Sequence, residues 1–280
     1  LKKILSSFWR TKYPKITKKT ALLCSVGLLA ETIAIYQIFY FESNAFYIWV
    51  LLSIILAPIA IALLVLIFQI PTIAVRKILI KKATKKRKEF KDLTVVAITG
   101  SYGKTSVKEF LATILSTKFR VLKTEKHVNA EIGLAQTILN NLKSEHQIFV
   151  AEVGAYSRGD VKEICQMLSP QIGILTGINE QHLSLFGSQE NIIKAKFELV
   201  ESLPENGIAI LNGNSDKVRN EKSKIKDYNK NLKNIIWCFD KTLGDIWAEN
   251  IITNKNDISL RILAKDGDEA DFKLNLLGRY

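Results

Sequence analysis

Residues 95 to 111 read VVAITGSYGKTSVKEFL: a run of apolar β-formers, a turn holding Gly100 and Gly103, then Lys104, Thr105 and Ser106 at the start of a helical pattern. That order suits an anion. Backbone N–H groups of a glycine turn at a helix N-terminus point at a phosphate, and the helix dipole favours negative charge there. A lysine neutralises the phosphate, and a threonine hydroxyl with a carboxylate can hold magnesium. The ordinary phosphate loop places four residues between its first glycine and the Gly-Lys-Thr, whereas only Ser101 and Tyr102 separate Gly100 from Gly103. The candidate cradle is thus a shortened loop made of Gly100, Ser101, Tyr102, Gly103, Lys104, Thr105 and Ser106.

Further polar residues follow later apolar runs: Glu152 ends "FVAEVG", and Asn179 and His182 follow "ILTGI". Each has a plainer alternative: an ordinary strand-end acid for Glu152, the minor reading even when it is taken alone, and a satisfied loop histidine for His182, the major one. Together at the ends of successive strands, beside Gly-Lys-Thr, they read as a site. The elements that must position them alternate. "TVVAITG", "FRVLKT", "QIFVAEVG", "IGILTGI" and "GIAILNGN" are β-rich runs. Between them helical patterns cover about 104–117, 131–143, 161–168 and 189–202. Such alternation predicts βαβ units and a parallel sheet, whose ligand site lies at the carboxyl ends of the strands. The Lys-rich stretch Asp216 to Lys233 predicts an exposed helix. After "NIIWCFD", the alternation around "KDGDE" predicts a small antiparallel region with a hairpin turn. Three cysteines, Cys24, Cys165 and Cys238, lack metal or redox spacing and read as free thiols.

Charge is distributed unevenly. Of forty Lys and Arg residues, seven lie in 1–19, nine in 76–91 and none in 20–75; the 24 that remain are matched by 24 acids in 92–280. The formal net charge of +13 therefore belongs to the N-terminal third, and a nucleic-acid partner loses its support. Two apolar stretches, 20–41 and 45–70, each exceed the roughly 20 residues a spanning helix needs. Aromatics crowd the connection between them, and basic clusters flank both. These features predict a transmembrane helical hairpin with both ends in the cytoplasm, anionic membrane lipids as partners, and a multi-pass cell-membrane location. Glu31, within the first stretch, reads as a neutral or partner-bonded carboxyl. The expected order is a basic segment 1–19, the hairpin 20–70, a basic linker 71–92 and a nucleotide-binding domain 93–280.

"TGSYGKTS" resembles the Thr-Gly-Thr-x-Gly-Lys-Thr loop of the Mur ligases, ATP-dependent amide-forming enzymes of peptidoglycan precursor synthesis. "HVNAEIG" is similar to that family's Asn-Asn-x-Ile-Gly segment, and "AEVGAYSRGDV" to its Glu-x-Gly-Ala segment. "TGINEQHLSLFGSQENIIKAKFELVESLPENGIAILNGNSD" resembles its His-Leu, Phe-Gly-Ser, Ala-Lys and Leu-Asn block. The resemblance covers about residues 93 to 280 and is nearest to the type that joins D-alanyl-D-alanine to the UDP-muramoyl tripeptide.

The resemblance implies that Lys104, the loop amides and Asn129 bind ATP. It further implies that Thr105 and Glu152 hold one magnesium and His182 a second, and that Lys196, carbamylated by carbon dioxide, helps with the latter; Lys104, His182 and Lys196 then form the catalytic set. The implied partners are a UDP-muramoyl peptide, or a lipid-linked precursor, and an amino acid or dipeptide. Departures are Ala130, where the family has a second Asn, and Gly177, where it usually has Asn. The chain also resembles a fragment at both ends, ending before the third domain the family would supply. The rival expectations are a membrane-anchored phosphate-loop regulator, a non-catalytic nucleotide-binding scaffold, and a folylpolyglutamate-type ligase.

Overall fold

The structure, a computed structural model, describes residues 25, 27–29, 31, 32, 35, 36, 46–180 and 183–275. The chain divides after Arg76 into two units. Helix α1, Phe46–Glu89, enters the second unit at Lys77. There follow β1 (Thr94–Thr99), α2 (Lys104–Leu115), β2 (Val121–Lys123), α3 (Glu131–Asn141), β3 (Ile148–Glu152), α4 (Asp160–Leu168) and β4 (Ile172–Leu175). Next come α5 (Leu183–Phe186), α6 (Gln189–Glu201), β5 (Ile208–Asn212), α7 (Asp216–Arg219), a 3-10 turn (Lys222–Lys224) and α8 (Ile225–Tyr228). Strands β6 (Asn234–Cys238), β7 (Ile246–Thr253), β8 (Ile258–Ala264) and β9 (Glu269–Leu274) complete the second unit.

The nine strands form one sheet in the order β2-β3-β1-β4-β5-β6-β7-β8-β9. Pairing is parallel from β2 to β7 and antiparallel across β7, β8 and β9. This is the α/β sheet with a small antiparallel region that the alternation predicts. Strand β3 is buried along its whole length and β1 beyond its first residue, as befits strands covered on both faces. The main core joins Phe149, Leu134, Ile138, Leu168, Phe197 and Leu199, and a second cluster around Ile98 and Val150 fills the other face. Strands β3, β1 and β4 are parallel neighbours, so the loops after them share one end of the sheet.

Three expectations change. Among the described residues no helix is long and apolar enough to cross a membrane. The predicted transmembrane hairpin and the multi-pass cell-membrane location are corrected accordingly. The first stretch, 20–41, lies largely outside the described residues; the second belongs to a helix that continues without a break through the basic segment to Glu89. The lipid-headgroup partner depends on that location and goes with it. Second, the polar stretch 216–233 is a set of short helical turns, with Val218, Ile225 and Leu232 buried. The Asn229 side chain stops it by donating to the carbonyls of Val200 and Leu203, both at 2.9 Å. Third, β7 is a strand the sequence reading does not anticipate.

The basic segment itself is part of the fold. Ala83 is fully buried, and Ile80 and Phe90 pack on the core. Lys86 donates to the Leu139 carbonyl at 2.9 Å. Arg87, 5 % exposed, donates through Nε to Leu168 O at 2.7 Å and through Nη2 to Ser169 O at 3.2 Å. Those carbonyls end α4, where intrahelical donors run out and a cation meets the negative end of the helix dipole. A buried charge bound to neutral carbonyls stabilises by about 2 kcal/mol. Arg87→Ala should therefore lower the urea-unfolding free energy by about that much, while Lys88→Ala, at an exposed position, should stay within about 0.5 kcal/mol. Equal effects would show that the basic cluster acts only through its charge.

Candidate phosphate-binding site

Gly100 leaves β1 with φ 148°, and a Cβ there would lie 2.1 Å from the Thr176 hydroxyl oxygen. Glycine is required because the loop runs against the end of β4. Three bonds hold it there. Ser101 N–H donates to Gly177 O at 2.7 Å, Thr176 N–H donates to Thr99 O at 3.0 Å, and the Thr176 hydroxyl donates to Tyr102 O. Gly103 then turns with φ 77° and starts α2 with no side-chain cap. The first-turn amides of α2 and its dipole are left to whatever anion the loop receives.

Lys104 folds over the loop and donates to Gly100 O at 2.7 Å. Burial lowers its pKa, and the Glu152 charge opposes that shift. Thr105, one residue on, donates its hydroxyl to Glu152 Oε2 at 2.9 Å. The other carboxylate oxygen accepts from Asn129 Nδ2 at 3.2 Å. Asn129 is fixed in turn, its carbonyl accepting from Gly154 N–H at 2.8 Å. Ser106 is exposed on the first turn of α2.

Lys196 comes from α6, whose start is set by Ser188 accepting from Asn191 N–H at 3.2 Å. It is 4 % exposed and lines one cavity with Gly100, Ser101, Lys104, Asn129, Gly154 and Phe186. Its pKa is pushed down to about 8, first by burial and then by the Lys104 charge, against Asp160 and Glu198. Lys194 lies on the other side of the helix, where its side chain is 44 % exposed and pairs with Glu190 at 2.6 Å. His182 lies outside the described residues.

The cavity thus gathers Gly100, Ser101, Lys104, Asn129 and Lys196, with Thr105 and Glu152 bonded to that group. A magnesium ion takes oxygen ligands and keeps several waters. The Thr105 hydroxyl and the Glu152 carboxylate offer that chemistry at the lip of the loop, so the residues present fit it. Among the described residues no three His, Cys, Asp or Glu side chains cluster as a metal cage. A cation here would complete its shell from phosphate and water.

Two departures gain a physical account. Ala130 is the N-cap of α3 and provides no side-chain bond, which costs about 1 kcal/mol against Asn at the same place. At Gly177 any side chain would collide with the Tyr102 ring. The sequence reading misses Lys108, fully buried, whose ammonium lies 3.5 Å from Glu152 Oε2 and 3.4 Å from Glu109 Oε1. Its position one helical turn beyond Lys104 is the available signal. Breaking a buried pair from one side costs about 3 kcal/mol or more because the other charge is stranded. Glu152→Gln should destabilise the chain by about that amount in urea, and Lys108→Met should recover much of the loss in the double variant. Additive losses would show that the two charges do not depend on each other.

Residues 98–280 match the Mur ligase middle domain. The UDP-N-acetylmuramoyl-tripeptide–D-alanyl-D-alanine ligase of Escherichia coli is 35 % identical over 188 residues, covering 66 % of this chain and 40 % of the relative. A crystal structure of MurF from Acinetobacter baumannii superposes with a TM-score of 0.65 at 28 % identity, over 72 % of this chain and 43 % of that one. MurF ligase from Thermotoga maritima in complex with ADP gives a TM-score of 0.62 at 30 % identity, over 73 % and 45 %. The chain therefore spans well under half the length of these relatives. Sheet, loop and matched residues lead to one conclusion: the chain belongs to the Mur ligase family through its middle domain.

Proposed function

We propose that this chain is the nucleotide-binding part of an ATP-dependent amide ligase of peptidoglycan precursor synthesis, joining D-alanyl-D-alanine to a UDP-muramoyl tripeptide. The observation that carries the proposal is the convergence of Lys104, Thr105, Glu152, Asn129 and Lys196 at one end of the sheet, at the phosphate loop. The ADP named with the Thermotoga maritima relative supports a nucleotide at this loop.

In this reading the loop amides and Lys104 hold the ATP phosphates, with Ser101, Tyr102, Gly103 and Ser106 contributing from the loop. The substrate carboxylate attacks the γ-phosphate to give an acyl phosphate, and the amine of the dipeptide displaces phosphate. Fixed positive charge aimed at the transferring group is the main source of rate in such chemistry. Thr105 and Glu152, with His182 at a second site, would hold magnesium, which would supply further positive charge there. Asn129 keeps the Glu152 carboxylate turned to the loop. The buried surroundings of Lys196 keep a larger share of its amine neutral, the form that adds carbon dioxide to become an anionic carbamate.

Two measurements test this reading. With UDP-muramoyl tripeptide and D-alanyl-D-alanine, sustained ADP release over many turnovers should need both substrates; release indifferent to both would refute the ligase assignment. In a solution of ¹³C-labelled bicarbonate, a carbamate resonance should be present in the wild type and in Lys194→Ala and absent from Lys196→Ala. The sign with pH follows from a lysine pKa near 8: the neutral amine, and with it the resonance, should grow as pH rises through about 8. A resonance that survives Lys196→Ala would remove the carbamate from the mechanism.

A further inference from the structure

Tyr102 stands at the tip of the phosphate loop with 46 % of its surface exposed, and its ring rests on Gly177. A Cβ built on Gly177 would lie 2.4 Å from both the ring Cζ and the hydroxyl oxygen, and 2.9 Å from Cε1. The space a side chain at 177 would take is the space the phenol occupies. The backbone below the ring is held in place, since Gly177 O accepts from Ser101 N–H and Tyr102 O accepts from the Thr176 hydroxyl. Ring and glycine thus form one surface, aromatic above and backbone below, on the β4 side of the loop.

The residues assigned above to the reacting phosphate lie on the other side: Glu152 ends β3, Asn129 bonds to it, and both are joined to the cavity lined by Lys104 and Lys196. A triphosphate laid across the loop amides with its terminal phosphate toward Lys104 and Glu152 runs out toward β4, where Tyr102 waits. Exposed aromatic faces bind nucleobases by stacking, which any base satisfies and a bare phosphate chain does not. We infer that Tyr102, seated on Gly177, is a specificity-determining residue that stacks on the base of the bound nucleotide, most favourably a purine with its larger face. The inference rests on the nucleotide reading above and adds the part of the ligand that reading leaves unassigned.

The test compares MgATP with inorganic tripolyphosphate, which has the anionic chain and no base, in titrations of the 280-residue chain. Tyr102→Ala should weaken MgATP about tenfold, ~1.4 kcal/mol, and leave tripolyphosphate unchanged, which also shows that the loop is intact. Tyr102→Phe should retain the affinity for MgATP. Gly177→Ala should displace the ring and weaken MgATP in the wild-type background, yet add little in Tyr102→Ala, because the clash is then gone. Equal affinity of Tyr102→Ala and wild type for MgATP, or equal loss for both ligands, overturns the stacking role while leaving the nucleotide site standing. Failure of the wild type to bind either ligand overturns the nucleotide reading and this inference together.

Discussion

The junction between the phosphate loop and the end of β4 is the constraint on which the site depends. Gly100, with its positive φ, allows the chain to leave β1 against Thr176, and the bonds among Thr99, Ser101, Tyr102, Thr176 and Gly177 fix the loop to the neighbouring strand. A loop anchored at one strand can aim its next residues at another. Lys104 and Thr105 therefore meet Glu152 on β3 in a set geometry, and the first turn of α2 begins at the site. Glycine at 100 is a requirement of contact as much as of backbone conformation, since any Cβ would collide with the Thr176 hydroxyl.

Around that junction the sheet holds charge where water is scarce. Lys108 lies beneath Glu152, Lys104 above the loop, and Lys196 across the cavity. Buried charges persist when partners offset the cost of desolvation, and the two sides of this site differ in that respect. Glu152 receives a hydroxyl, an amide and a nearby ammonium, whereas burial and the Lys104 charge push Lys196 toward its neutral form. The same cavity therefore borders a carboxylate held by three donors and a lysine whose proton is loosened by its surroundings.

Much of this was legible in the sequence because the signals are local. Runs such as "VVAI" and "IFVA" are apolar throughout, as strands with two covered faces must be, and Gly-Lys-Thr marks the turn from strand to helix. Helix geometry sends positions two apart in different directions, so only one of Lys194 and Lys196 can face the site, and the family resemblance is what points to Lys196. What escaped depends on partners remote in sequence. Arg87 reads like its basic neighbours until its bonds to the end of α4 are seen, and Lys108 reads as a surface lysine until β3 is laid beside α2. Val218, Ile225 and Leu232 are isolated among lysines, so their burial depends on the strands and helices they meet. Strand β7 has mostly exposed or half-exposed residues, which gives weak alternation to read.

The central claim is that the loop anchored to β4 receives the phosphates of a nucleotide through Lys104. Calorimetric titration of MgATP into the wild-type chain and into Lys104→Ala addresses it most directly, because the substitution removes the cradle's ammonium while leaving Gly100, Thr176 and the loop anchorage in place. Saturable binding by the wild type, with no measurable binding by Lys104→Ala, is the result expected. Unchanged affinity in Lys104→Ala, or no binding by the wild type, would contradict the claim.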